Sequence, residues 1–161
     1  MPSLPASGDF RHGVHHFPVR VYFEDTDLTG VVYHANYLRY MERARSDMLA
    51  LAGIDQLEVM SGGRGYYAVA DLRIAYKRPA KLGDGLEVRS RVLRVRAAAV
   101  LSLQQVWRGD EMLTEGHVTA AWLDRNGRPQ RQPADRAALF EQMRVDAETA
   151  DHSSAPADTE T

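Results

Sequence analysis

Four stretches of apolar and polar alternation crowd the second half of this chain, and the connections between them are too short to hold a helix. Ala68, Ala70, Leu72, Ile74 and Tyr76 share one face of a run closed by Pro79. Leu86, Val88, Ser90 and Val92 form the next, followed by Val100 to Trp107 and Met112 to Leu123, with turn signals at Gly109-Asp110 and Asn126-Gly127. A period of two marks half-buried strands. Parallel neighbours would need crossover connections of a dozen residues or more, so these strands pair antiparallel. Ahead of them stands one helical stripe. Tyr37, Met41, Ala44, Met48 and Leu51 recur at steps of three and four, opposite Arg39, Glu42, Arg43 and Ser46, with Asn36 as its cap and Gly53 as its stop. Val19, Val21 and Phe23, alternating with Arg20, Tyr22 and Glu24, add a first strand, and Pro133 to Arg144 a short terminal helix. The expected class is α+β, an antiparallel sheet of about five strands wrapped around one long central helix. A single helix leaves the other sheet face and the edges uncovered, which predicts self-association.

Composition narrows the function. The chain has 161 residues, 44% hydrophobic and 26% charged, the balance of one globular domain. A net charge of -2 supplies no general field for a phosphate backbone, so nucleic acid is not an expected partner. With no cysteine there is no disulfide, thiolate metal site or cysteine nucleophile. No stretch approaches the ~20 apolar residues of a membrane span, and Met1 to Gly8 lack a secretory pattern, so the expected location is cytoplasmic. Residues 1–16 are expected to be a mobile segment, 17–145 the domain and 146–161 a disordered tail. His12, His15 and His16 fall in the first of these and read as solvated rather than as metal ligands. The Gly62-Gly63-Arg64-Gly65 run reads as a connecting loop.

Chemistry concentrates between Val21 and Arg45, VYFEDTDLTGVVYHANYLRYMERAR, where Glu24, Asp25 and Asp27 precede a glycine-containing turn into the helix. Two readings are open. Asp25 or Asp27 can cap backbone N–H groups in the loop. Alternatively, the helix N-terminus polarises a carbonyl while a carboxylate attacks it or activates water.

The run EDTD..GVVYH.NY..Y.ERAR resembles the signature of the 4-hydroxybenzoyl-CoA thioesterase family of hotdog proteins, in particular its Tol-Pal-associated acyl-CoA thioesterases. Tyr76-Lys77-Arg78-Pro79-Ala80-Lys81-Leu82-Gly83-Asp84 resembles a loop of the same group, and the similarity extends from about Pro18 to Val145. The resemblance implies a hotdog fold and hydrolysis of acyl-CoA without a cofactor or metal. It places the catalytic aspartate, nucleophile or general base, on Asp27, and the carbonyl-polarising N–H on His34, whose side chain could orient water or substrate. Tyr33 and Asn36 become candidates for pocket wall and helix cap, and Arg96 and Arg94 for contacts to the CoA phosphates. Ala97-Ala98-Ala99, which follow, depart from the family pattern. A homotetramer of hotdog dimers is the implied assembly. An acyl carrier protein is the alternative acyl donor, and a noncatalytic lipid-sensing or envelope-associated role the alternative function.

Overall fold

The computed structural model describes residue 5 and residues 7–153. Six strands form one antiparallel sheet in the order β1-β2-β4-β5-β6-β3: β1 (Asp9–Arg11), β2 (Val14–Arg20), β3 (Tyr66–Tyr76), β4 (Gly85–Val95), β5 (Ala99–Arg108) and β6 (Glu111–Leu123). Three α-helices accompany it: α1 (Asn36–Leu51), α2 (Gln56–Gly62) and α3 (Ala134–Ser153). The expected class holds. The sheet curls around α1, whose Tyr37, Tyr40, Met41, Ala44 and Met48 are buried, as the stripe requires. The first four meet Val19, Val21, Leu86, Val88, Val106 and Leu113 in the main core. Each fully buried side chain of this size contributes about 2 kcal/mol. Gly116 of β6 helps the helix approach: a Cβ there would lie 3.2 Å from Met41 Cε. Gln104, also buried, joins the layers by donating to the Met41 carbonyl and to Ser90 Oγ while accepting from Arg45.

Several boundaries differ from the sequence expectations. Residues 9–16, expected to be mobile, form β1 and the start of β2, which makes six strands rather than about five. His15 is fully buried between Phe10 and Phe17 with Nε2 2.7 Å from Asp47 Oδ2, and His16 Nδ1 lies 2.7 Å from Glu87 Oε1. Neither is a solvated histidine. Gly13, at the hairpin turn, sits against α3, where a Cβ would come within 2.5 Å of Ala147 N. The strand expected from Val19 to Glu24 ends at Arg20 as β2, and Phe23 is exposed in a 3-10 turn, Phe23–Asp25, because Asp25 Oδ2 accepts the Tyr22 N–H and bends the chain. The glycine-rich stretch closes a helix, α2, whose N-cap is Asp55. Leu51, counted on the buried stripe, is 46% exposed. The terminal helix continues past Arg144 to Ser153 and packs Phe140, Met143 and Ala147 inward, so the tail expected from residue 146 is helical that far, and 154–161 lie outside the described residues. In β3 a bulge between Val69 and Asp71 puts Ala70 out of step, so the expected common face does not run the whole strand.

Candidate active site

The Asp27 loop is built by backbone pairing. Asp27 N–H donates to the Val31 carbonyl at 2.9 Å and Gly30 N–H to the Asp27 carbonyl at 3.0 Å, closing a four-residue turn with Asp27 at its first position. Gly30 takes φ 79°, a left-handed value that glycine adopts at little cost. Outside the turn, Thr26 bridges Val32 and Val31 bridges Lys81, so the loop is tied to the segment that enters β4. The Asp25 carbonyl then accepts two donors, Tyr33 N–H at 2.9 Å and Asn36 Nδ2 at 2.8 Å. The expected capping role of Asn36 is therefore corrected. It is the first helical residue, the cap position is Ala35 without a side-chain bond, and the buried Asn36 amide fastens the loop instead.

The capping reading of the aspartates is the one the hydrogen bonds display. Asp27 Oδ1 accepts from Thr29 N–H at 2.8 Å and from Thr29 Oγ1 at 2.5 Å, a local aspartate turn. Oδ2 has no partner among the described residues and the residue is exposed. The Thr29 hydroxyl, with the Thr29 and Val31 backbone groups, holds the carboxyl below its ordinary 3.8, against an opposing effect of desolvation. The result is a carboxylate ionised throughout the neutral range with one oxygen free.

At the helix entrance, the N–H groups of His34 and Ala35 have no acceptor among the described residues. These donors carry the positive end of the helix dipole. The His34 carbonyl accepts from Tyr76 Oη at 2.8 Å, which fixes the orientation of this peptide segment. Burial pushes the Tyr76 hydroxyl's pKa up, keeping it a neutral donor. The His34 ring is exposed, 4.5 Å from the Tyr33 ring and 6.2 Å from that of Tyr76, centre to centre. A shallow cleft of about 260 Å³ lies here, lined by Val32, His34, Tyr37, Tyr76, Lys77 and Arg78 among others. Tyr33 is half-exposed and is not among its walls. Arg78 is paired with Glu111, whereas Lys77 and Lys81 form no direct ion pair among the described residues.

Arg94 and Arg96 are not brought to this place within one chain. The segment before the Asp27 loop adjoins the start of β4 through Val21 N–H to the Asp84 carbonyl, while Arg94 and Arg96 lie at the far end of that strand, where Arg96 N–H closes the turn on Ala99. An eleven-residue strand separates them by roughly 30 Å. Thr29 and Tyr76 make the contacts around this loop and helix entrance that sequence reasoning missed. Thr29, two residues beyond an aspartate, was a readable signal, whereas the Tyr76 contact spans 42 residues and had none.

Among the described residues there is no helix long and apolar enough to cross a membrane and no cluster of three or more metal-ligating side chains. The thioesterase superfamily model matches residues 29–115, more than half of the chain. The chain is 38% identical over 129 residues to an acyl-CoA thioesterase, YbgC, of Haemophilus influenzae, covering 80% of this chain and 95% of that protein. A probable thioesterase of Bartonella henselae superposes with a TM-score of 0.71 at 34% identity, over 74% of this chain and 99% of that one. A thioesterase of Thermus thermophilus, solved with coenzyme A and zinc, gives 0.71 at 29% identity over 83% and 95% of the two chains. With its sheet curled about a central helix, the chain belongs to the thioesterase superfamily and has the hotdog fold.

Proposed function

We propose that the chain hydrolyses acyl-CoA thioesters with Asp27 as the reacting carboxylate and the N–H of His34 as the carbonyl-polarising donor. One observation carries this reading: an ionised aspartate with one free oxygen is held on a pinned turn that leads directly into unsatisfied helix-entrance donors. A thioester carbonyl oxygen at those N–H groups gains charge stabilisation as it becomes an oxyanion. Attack by Oδ2 on the carbonyl carbon expels the CoA thiolate and leaves a mixed anhydride that water cleaves. In the general-base route Oδ2 instead takes a proton from water as the water attacks, and no covalent species forms.

Two copies complete the site in this reading. β3 is an edge strand of eleven residues that exposes Val69 and Leu72, a surface suited to antiparallel pairing with itself. A two-fold axis across that edge places the Tyr76 end of one strand beside the Tyr66 end of its mate. That arrangement carries the β4–β5 turn of the second copy, with Arg94 and Arg96, toward the first copy's Asp27 loop. Further association into a tetramer follows the same logic for the uncovered sheet face.

The test is thiol release from short aliphatic, long aliphatic and aromatic acyl-CoA substrates by wild type and Asp27→Asn at matched oligomeric state. Asparagine keeps the acceptor for Thr29 and removes the charge. Loss of several orders of magnitude on a substrate the wild type turns over supports the assignment, and equal activity overturns it. A single turnover in ¹⁸O water tests the covalent route: label in Asp27 marks an anhydride opened by water at the Asp27 carbon, whereas label in the product alone arises from the base route or from an anhydride opened at the acyl carbon.

A further inference from the structure

We propose that the pole of the molecule opposite the Asp27 loop is a docking surface for the anionic face of a lipid bilayer. Three connections converge there. Arg96 N–H closes the β4–β5 turn on Ala99, Gln132 N–H reaches the Ala97 carbonyl, and Gln130 Nε2 donates to the Arg64 carbonyl. They bring together Arg64, Arg125, Arg128 and Arg131, all exposed, beside Arg94 and Arg96, which are exposed in one chain and which the proposed dimer turns toward the partner copy's Asp27 loop. None of the six forms an ion pair among the described residues; Arg20, Arg39, Arg43, Arg73 and Arg136 are likewise without one, but no comparable number of them is gathered by one set of turns. The carboxylates of the same segments, 63–65, 94–96 and 124–135, are Asp124 and Asp135. Asp124 is turned inward onto the N–H groups of Asn126 and Arg128. In a chain of net charge -2 this is a local concentration of positive charge.

Charge alone would suit any polyanion, and the neighbouring surface selects a bilayer. α2 is fastened to this pole by Arg125 Nε donating to the carbonyl of Gly63, its C-cap. It turns Leu57 and Met60 outward, 75% and 77% exposed, and none of its residues is buried. Residues three apart lie on one helix face, so two unpartnered apolar side chains stand beside the guanidinium groups. Beneath α2 a cavity of about 680 Å³, lined by Leu49, Ile54, Val59, Met60, Tyr67 and Arg125 among others, opens at the same place. That volume is typical of a small-molecule site. Exposed apolar residues flanking a basic cluster match the interface of a peripheral membrane protein, in which arginines meet lipid phosphates and apolar side chains enter the headgroup boundary. Nucleic acid makes no use of the outward Leu57 and Met60, and a surface built for an acidic protein instead would leave vesicle binding absent.

The experiment is co-sedimentation of the intact oligomer with phosphatidylcholine vesicles and with vesicles containing 30% phosphatidylglycerol. Wild type is expected to bind the anionic vesicles at least tenfold more tightly than the neutral ones, with binding reduced by salt. Arg125→Glu/Arg128→Glu/Arg131→Glu abolishes that preference, and Leu57→Ser/Met60→Ser weakens binding several-fold at unchanged salt dependence. Gel filtration verifies each variant's assembly, and the serine variant tests the surface independently should the charge reversal fail to fold. Absence of binding, or equal binding to both vesicles, overturns the proposal. It is also overturned if the serine variant binds like wild type and a short RNA competes as well as lipid, which would make the pole a general polyanion site.

Discussion

The side-chain amide of Asn36 donates to the backbone carbonyl of Asp25 at 2.8 Å, inside the protein and across eleven residues of sequence. That bond fixes the angle between the Asp27 turn and the helix entrance. It uses the first residue of α1 to hold the loop rather than to cap the helix.

Asn36→Ala is expected to lower the unfolding free energy by about 1 kcal/mol, since the Asp25 carbonyl keeps its second donor, Tyr33 N–H. The rate constant falls more than the stability does, because the loop loses its angle while substrate contacts remain. Asn36→Asp is the harsher change, setting a carboxylate against a carbonyl. Urea unfolding at fixed protein concentration and a split of kcat from KM check both.

Thr29 sets the protonation of Asp27. Its hydroxyl is the first cause of the depressed carboxyl pKa, so wild-type Asp27 stays ionised down to below the ordinary 3.8. Thr29→Val removes that hydroxyl and leaves the backbone donor. The carboxyl pKa then rises toward its ordinary value, and the acid limb of activity moves to higher pH. Carbon-13 titration of the Asp27 carboxyl measures this directly, and an unchanged titration would remove Thr29 from the site.

His15 imposes a pH dependence on stability rather than on catalysis. Burial lowers its pKa from 6.5, and this outweighs the opposing hydrogen bond and charge of Asp47. The unfolded chain therefore takes up the proton more readily than the folded one, and stability falls as pH drops through about 6.5 toward the lower folded value. Asp47 titrates below this window: burial opposes its ionisation, but hydrogen bonds from Ser7, His15 and Gly8 prevail and hold its pKa below 3.8. His15→Phe, placed between Phe10 and Phe17, is expected to flatten the slope between pH 5 and 7 in urea-midpoint measurements.

Legibility in the sequence followed the range of the interactions. The α1 stripe and the runs that became β4, β5 and β6 announce themselves through periodicity, because the core selects one face of each. Asp27 was visible as a local motif. The N-terminal hairpin was hidden because its histidines look polar, and the acids that make them buriable, Asp47 and Glu87, lie 32 and 71 residues away. α2 was masked by the glycines that end it. The distance between Arg96 and Asp27 follows from strand direction, which motif matching does not carry.

The exposed edge of β3 gives the last prediction. A long strand with free backbone groups on one side invites pairing, and Val69 and Leu72 are 49% and 37% exposed there. Charge at such positions is how natural edges prevent association. Val69→Arg/Leu72→Arg is therefore expected to shift the protein to monomer in gel filtration while preserving its helix and sheet content. Because Asp27 and Arg96 stand at opposite ends of β4 in one chain, the monomer also loses thioester hydrolysis, with the larger effect on KM for CoA substrates. A fully active monomer would show instead that one chain's cleft at His34 suffices, and that the far arginines serve the pole alone.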